Sequence, residues 1–177
     1  MLLRADPTTF EHVPFESTPW TASPEAKVER KMLERDGEEV ARATSIVRYA
    51  PGSAFPAHVH ERGEEFIVLE GTFSDEHGDN AVGTYVRNPP GSQHRPFSKG
   101  GCIIFVKLRQ FEMSDSRHCV IRLEHDPRAV VAASSTLLHA FGTERVSLVR
   151  LPAGATMKFD RSDGGAELLV LEGSVDV

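Results

Sequence analysis

Cysteine is scarce in this chain: Cys102 and Cys119 are the two present in 177 residues. Such a count excludes a disulfide-stapled secreted scaffold. Both lie in apolar stretches, so they read as two buried thiols in a reducing cytoplasm rather than as a bridge. No apolar run is long enough to cross a bilayer. The opening Met-Leu-Leu-Arg-Ala-Asp-Pro also lacks the apolar core of a signal peptide. Positive charge is in deficit: 20 Lys and Arg stand against 26 Asp and Glu, a net charge of −6. The basic residues are scattered among acids, which argues against a nucleic-acid partner. What is left is a cytoplasmic protein with neither nucleic-acid nor membrane partners. Its 40% hydrophobic content suffices for one domain or two small ones.

Against this background the histidines between Gly52 and His94 stand out. His58 and His60 are separated by one residue, which on an extended strand puts both imidazoles on one face. Glu64 follows the short turn Glu61-Arg62-Gly63 at the head of the apolar run Phe66-Ile67-Val68-Leu69. A strand that reverses there returns a carboxylate to the two imidazoles. Pro89-Pro90-Gly91 forces a second sharp turn, behind which His94 offers a third imidazole. His58, His60, His94 and Glu64 form a borderline nitrogen and oxygen set suited to one divalent transition metal. His94 taken alone would read as a surface-loop residue. His77 reads as a solvated turn histidine, and His118 and His125 as surface residues without a partner pattern.

The rest of the chain reads as follows. Residues 1–25 hold Pro7, Pro14, Pro19 and Pro24, which favours an extended arm over a helix. Phe10, Val13, Phe15 and Trp20 pin that arm to a sheet or to a second subunit, so a homodimer stays open. Trp20 is read as a packing anchor ahead of a stacking platform for a ligand. The segments starting at Ala26 and Glu38 are joined by Asp36-Gly37, a hairpin signal that outweighs the helical composition of the first. Phe73 to Asn80 reads as a polar loop and Ala81 to Arg87 as a strand. Gly101 to Phe111 is expected to be a mostly buried strand with Cys102 in the core, paired with Arg117 to Leu123.

These residues resemble the cupin superfamily. Its first motif, G-x5-H-x-H-x3-E-x6-G, is met by Gly52, His58, His60, Glu64 and Gly71. Its second, G-x5-P-x-G-x2-H-x3-N, is met by Gly83, Pro89, Gly91 and His94. Ser98 stands in place of the final Asn, so the turn after His94 is expected to differ. Within the superfamily, Glu-Glu-Phe-Ile-Val-Leu-Glu-Gly and Arg-Asn-Pro-Pro-Gly-Ser-Gln-His are similar to the ChrR type, the metal-binding cupin half of a bacterial anti-sigma factor. The resemblance is strong over residues 26–111. It implies an all-β fold, a double-stranded β-helix or jelly roll of the RmlC-like cupin type. His58, His60, Glu64, Phe66 and Val68 then line one wall of the barrel.

A repeat adds to this picture. Thr44-Ser-Ile-Val-Arg-Tyr-Ala-Pro-Gly52 is echoed by Val146-Ser-Leu-Val-Arg-Leu-Pro-Ala-Gly154, and Glu65-Phe-Ile-Val-Leu-Glu-Gly71 by Glu167-Leu-Leu-Val-Leu-Glu-Gly173. The offset, 102 residues, is the same from Gly52 to Gly154 and from Gly71 to Gly173. At that offset Asp160, Ser162 and Ala166 replace His58, His60 and Glu64, so the copy should hold no transition metal. Glu65 and Glu167 correspond, and both read as structural residues on the outer side of their strands. The expected organisation is an arm (1–25), a metal-binding repeat (26–125) and the start of a second, metal-free repeat (126–177). No second motif of the copy appears before Val177, so the chain is expected to continue or to be completed by another chain.

The resemblance leaves two functions open. One is a sensing module that perceives a ligand or oxidant, as in an anti-sigma factor. The alternative is a metal-dependent dioxygenase or related enzyme acting on a small carbonyl or enol substrate. No catalytic residue is assigned beyond the metal set. Zinc, iron, manganese and nickel all suit that set, with zinc and iron ahead. The absence of Cys-x2-Cys speaks against sigma-factor binding in the manner of ChrR.

Overall fold

The computed structural model describes residues 1–38, 40–123, 130–158 and 165–176. His125, Asp160 and Ser162 lie outside the described residues. Every regular element among the described residues is a strand. In chain order they are β1 (Leu2–Leu3), β2 (Thr21–Ala22), β3 (Val28–Gly37), β4 (Ala41–Tyr49), β5 (Ser53–Ala54), β6 (His58–His60), β7 (Glu64–Asp75) and β8 (Gly78–Ala81). Then come β9 (Thr84–Asn88), β10 (Ser92–His94), β11 (Phe97–Ser98), β12 (Cys102–Leu108), β13 (Cys119–Arg122), β14 (Ser134–Phe141) and β15 (Glu144–Arg150). No helix among the described residues is long and apolar enough to cross a membrane.

The chain forms two compact units, Met1–Leu123 with Glu167–Val177, and Glu124–Ala166. In the first, the strand order β1-β3-β4-β12-β7 is antiparallel throughout. Strand β7 then serves two layers. Its first half, Glu64–Gly71, pairs with β12, and Glu64–Ile67 also pairs with β9. Its second half, Thr72–Asp75, pairs with β8, and Ser74 with Phe97 of β11. One strand shared in this way folds the sheet over an apolar interior. The core is Val28, Tyr49, Phe66, Val68, Phe73, Val86, Cys102, Ile104 and Val106. Alternation explains the choice: Tyr49, Cys102, Ile104, Val106, Phe66 and Val68 occupy one parity of their strands. Each such side chain contributes ~1.5–3 kcal/mol by leaving water.

Most of the strand reading holds, with four changes. The hairpin of β3 and β4 forms, but β3 runs through Asp36 and Gly37, and Gly37 pairs with Ala41, so the turn lies past the Asp-Gly pair. Phe73 to Asn80 is the β7–β8 hairpin rather than a loop. Strand β13 pairs with β9 instead of β12, because both edges of β12 are already taken by β4 and β7. Residues 165–176 form no strand. Leu168, Val170 and Leu171 are exposed, since no ladder among the described residues takes them up. Glu167 instead bonds Lys107 and accepts from Thr44 Oγ1 at 3.4 Å.

The arm is tied to the sheet by β1 and β2, which pair with β3. Trp20 packs edge-on against Phe15, with centroids 6.1 Å apart, and carries the Arg48 guanidinium 4.2 Å above its ring. Lys31 Nζ lies 3.9 Å over Phe15. Trp20 is thus a packing anchor, whereas Phe10 is exposed. In the second unit, β14 and β15 form an antiparallel hairpin.

Candidate metal centre

The two histidine-bearing strands are built as a pair. Strand β10 lies antiparallel to β6, with His94 opposite His58 and Ser92 opposite His60. Residues directly opposite in such a ladder point to the same face, as do residues two apart on one strand. Three imidazoles therefore share one side. Their centroids are 4.8 Å (His58–His60), 5.1 Å (His58–His94) and 4.7 Å (His60–His94) apart. Val59, between the first two, points away and is exposed.

Two glycines make the chain turn tightly enough. Gly63 has φ 77°, and a Cβ there would lie 2.4 Å from Phe111 Cδ2. The reversal at Gly63 starts β7 at Glu64 beside the imidazoles. Gly91 has φ 84° and donates its N–H to His60 O at 2.9 Å, which seats the turn before β10 against β6.

Glu64 Oε1 then lies 3.5 Å from His60 Nε2 and 3.6 Å from His94 Nε2. One donor atom from each of His58, His60, Glu64 and His94 falls within 4.8 Å of all the others. Donors about 2.1 Å from a common ion stand roughly 3.0–3.5 Å apart at right or tetrahedral angles. His60 Nε2 and His94 Nε2 are buried and have no hydrogen-bond partner among the described residues. Buried polar atoms left open in this way are unusual unless something is meant to fill them. The residues present fit a divalent transition metal.

Neighbouring acceptors orient the rings. His58 Nδ1–H donates to Pro56 O at 3.0 Å, and His94 Nδ1–H donates to Asp75 Oδ2 at 3.2 Å. Each bond leaves the lone pair on Nε2, and that of His94 lies on the side of Glu64 Oε1. Burial pushes the His60 pKa down, with Glu64 opposing. Burial also depresses His94, but the Asp75 hydrogen bond and then Glu64 outweigh it, and the result is upward. Asp75 is held below the usual carboxylate range: burial raises it, and its bonds to His94 and the His77 amide more than compensate. Asn88, the cross-strand partner of Glu64, donates Nδ2–H to Glu64 Oε1 at 3.1 Å.

The four expected residues thus come together. Asp75 and Asn88 escaped the sequence reading. No local pattern marks Asp75, which stood in an apparent polar loop, and Asn88 is tied to Glu64 by strand register alone. His77 and His118 are exposed, as expected. Ser98, in place of the motif's Asn, is fully buried, and its Oγ–H donates to Thr72 O at 2.7 Å. Ser92 Oγ is buried without a hydrogen-bond partner among the described residues, on the same ladder as the histidines. Aromatic rings border the site: Phe55 lies 6.1 Å from His58 and Phe73 5.9 Å from His94, and Tyr49 packs between those two phenylalanines.

The family model of the ChrR Cupin-like domain matches residues 8–112. The chain belongs to the ChrR cupin-like family. No curated protein sequence matches this ChrR-like cupin. Among solved structures, it is similar to an acetylacetone dioxygenase from Acinetobacter johnsonii. That likeness has 19% identity and TM-score 0.51, covering 60% of this chain and 78% of the other. An RmlC-like cupin from Ralstonia eutropha matches at 18% identity and TM-score 0.50, over 56% and 68% of the two chains. The Rhodobacter sphaeroides complex of SigE with the anti-sigma ChrR matches at 24% identity and TM-score 0.46, over 54% and 51%. The fold is that of an all-β cupin.

The outer face of β7 carries a second buried cluster. Glu65 Oε2 accepts from Tyr85 OH at 2.6 Å and from Arg87 Nη1 at 2.9 Å, and Arg87 Nη2 donates to Asp115 Oδ2 at 2.9 Å. Arg87 is fully buried and lies 3.6 Å above the Phe111 ring. Burial, then the charge of Glu65, pushes the Tyr85 phenol far up. The expected structural role of Glu65 on the outer side of its strand accords with this setting.

Proposed function

We propose that His58, His60, Glu64 and His94 bind one divalent transition metal, zinc or iron ahead of manganese and nickel, in a ChrR-like cupin that answers to a small oxygen-donor ligand. The observation that carries this reading is the pair of buried Nε2 atoms of His60 and His94, without a hydrogen-bond partner among the described residues and facing Glu64 Oε1. Four protein donors leave room on a six-coordinate ion for water or a small molecule. A metal held there supplies a Lewis acid for a carbonyl or enolate oxygen, and an iron also supplies redox chemistry with dioxygen. The protein's own part is to present three imidazoles and the Glu64 side chain, to fix the His58 and His94 rings through Pro56 and Asp75, and to keep bulk water away with Phe55, Phe73 and Tyr49.

Membership of the ChrR-like family supports the reading of a module that senses a ligand or oxidant. The dioxygenase reading draws on the fold likeness to acetylacetone dioxygenase and on the aromatic border of the site, which suits a small carbonyl or enol substrate. Metal analysis of protein purified without chelator tests the shared premise: about one equivalent per chain is expected, lost in His60→Ala. A full equivalent retained by that variant removes the assignment. Fe(II) reconstitution followed by oxygen uptake with small diketones then separates the readings. Turnover abolished in Glu64→Ala supports the enzyme. No turnover, with a partner that co-purifies and dissociates on oxidation or chelation, supports the sensor.

A further inference from the structure

We infer that the Asp75-Glu76 turn at the end of β7 is a positioning element for His94, with Asp75 holding the ring and Glu76 the chain that carries it. The inference deepens the metal reading above and rests on it for its consequence.

His94 is poorly secured by its own strand. Strand β10 has three residues and pairs only with β6, itself three residues long, among the described residues. So short a ladder leaves a terminal ring free to swing, because a two-stranded ribbon is marginal by itself. The constraint comes from the β7–β8 hairpin. Asp75 Oδ2 accepts from His94 Nδ1 at 3.2 Å while its Oδ1 accepts the His77 N–H at 2.8 Å, so the carboxylate is gripped from behind. Glu76 Oε2 accepts the Arg95 N–H at 2.8 Å, one residue beyond His94. Ser74 Oγ–H donates to Asp79 Oδ1 at 2.6 Å and closes the hairpin. The Phe73 ring, 5.9 Å from that of His94, packs from the same strand. Both sides of the Asp75–His94 contact are nearly buried, with side-chain exposures of 9% and 3%.

The consequence is chemical as well as steric. A carboxylate on Nδ1–H selects the tautomer whose lone pair is on Nε2 and strengthens that nitrogen as a donor. The Glu76 bond is exposed and adds only backbone register. Asp75 should therefore govern His94 far more than Glu76 does.

The experiment uses the full chain and Co(II) as probe. Asp75→Ala should weaken Co(II) affinity about 10- to 100-fold and alter the visible Co(II) spectrum. The near-isosteric Asp75→Asn should give a smaller loss, and Glu76→Gln a change within about threefold. In the metal-free protein, at a pH high enough to keep the ring neutral, 15N chemical shifts of His94 should show one Nδ1–H tautomer in the parent and a mixture in Asp75→Ala. Should Asp75→Ala not fold, Asp75→Asn carries the same comparison with a smaller expected shift. Unchanged tautomer, spectrum and affinity in the folded Asp75 variants overturn the inference. A parent chain that takes up no Co(II) would remove the metal reading, and the tautomer measurement would still decide whether Asp75 positions the ring.

Discussion

Glu64 and Glu65 are neighbours on one strand, both buried, at 7% and 5% exposure, yet the protein treats them oppositely. Glu65 faces Arg87 Nη1 at 2.9 Å and the Tyr85 hydroxyl at 2.6 Å, so its charge is answered by a cation built into the fold. Glu64 faces one amide N–H, from Asn88 at 3.1 Å, and two imidazole nitrogens at 3.5 and 3.6 Å that have no hydrogen-bond partner among the described residues. Burying a carboxylate without a cation is costly. On the inner face no Lys or Arg among the described residues answers Glu64, and a metal held there would supply that counter-charge. Strand alternation alone thus separates a structural ion pair from a candidate metal ligand.

The comparison can be broken from either side. The largest effect is expected from Arg87→Leu, which removes the guanidinium shared by the buried Glu65 and Asp115; urea denaturation should show a loss of about 3–5 kcal/mol, or no folded protein. Stripping the metal comes next. At a free metal concentration ~100 times Kd, chelation should lower parent stability by about 2.7 kcal/mol, and the same chelator should leave His60→Ala unmoved. Equal shifts in both proteins would place the metal elsewhere.

Exchanging the two glutamates sharpens the contrast. Glu65→Gln should cost about 1–3 kcal/mol in denaturant while metal content stays at the parent level. Glu64→Gln should do the reverse, losing metal while the metal-free protein is at least as stable as the parent. If both variants lost metal alike, the two faces would not be independent. The smallest effect is expected from His77→Ala. His77 bonds Asp75 through its backbone amide and its ring is exposed, so stability should stay within about 0.5 kcal/mol and metal content should not change.

The candidate ligands were legible because their logic is local. His-x-His is a parity statement, and Gly63 and Gly91 mark turns that few other residues could make. The supporting residues were not legible, because each bond joins segments far apart in sequence. Asp75 and His94 are 19 residues apart, Asn88 and Glu64 are 24, and Arg87 and Asp115 are 28. Only the register of β7 against β9, and the fold of β8 and β11 onto the end of β7, bring them together. The β13 pairing failed for a related reason: a sequence shows an apolar strand but not which sheet edges are still open.

The repeat shows where pattern stops determining structure. The paired glycines share a conformation, with φ 73° at Gly52 and 75° at Gly154, and 68° at Gly71 and 79° at Gly173. Glycine admits a positive φ without steric cost, and both echoed segments use it at the same places. Phe66 and Val68 are buried in a strand paired on both sides, whereas Leu168 and Val170, of the same pattern, are exposed outside any strand. Alternation, turn glycines and the spacing of three histidines and a glutamate were decided by the sequence, since each depends on a residue and its near neighbours. Which edge a strand finds, which carboxylate meets an arginine and which ring meets an aspartate were decided by tertiary structure alone, because a ladder needs a partner and a buried charge needs a counter-charge, and neither is encoded next to the residue that requires it.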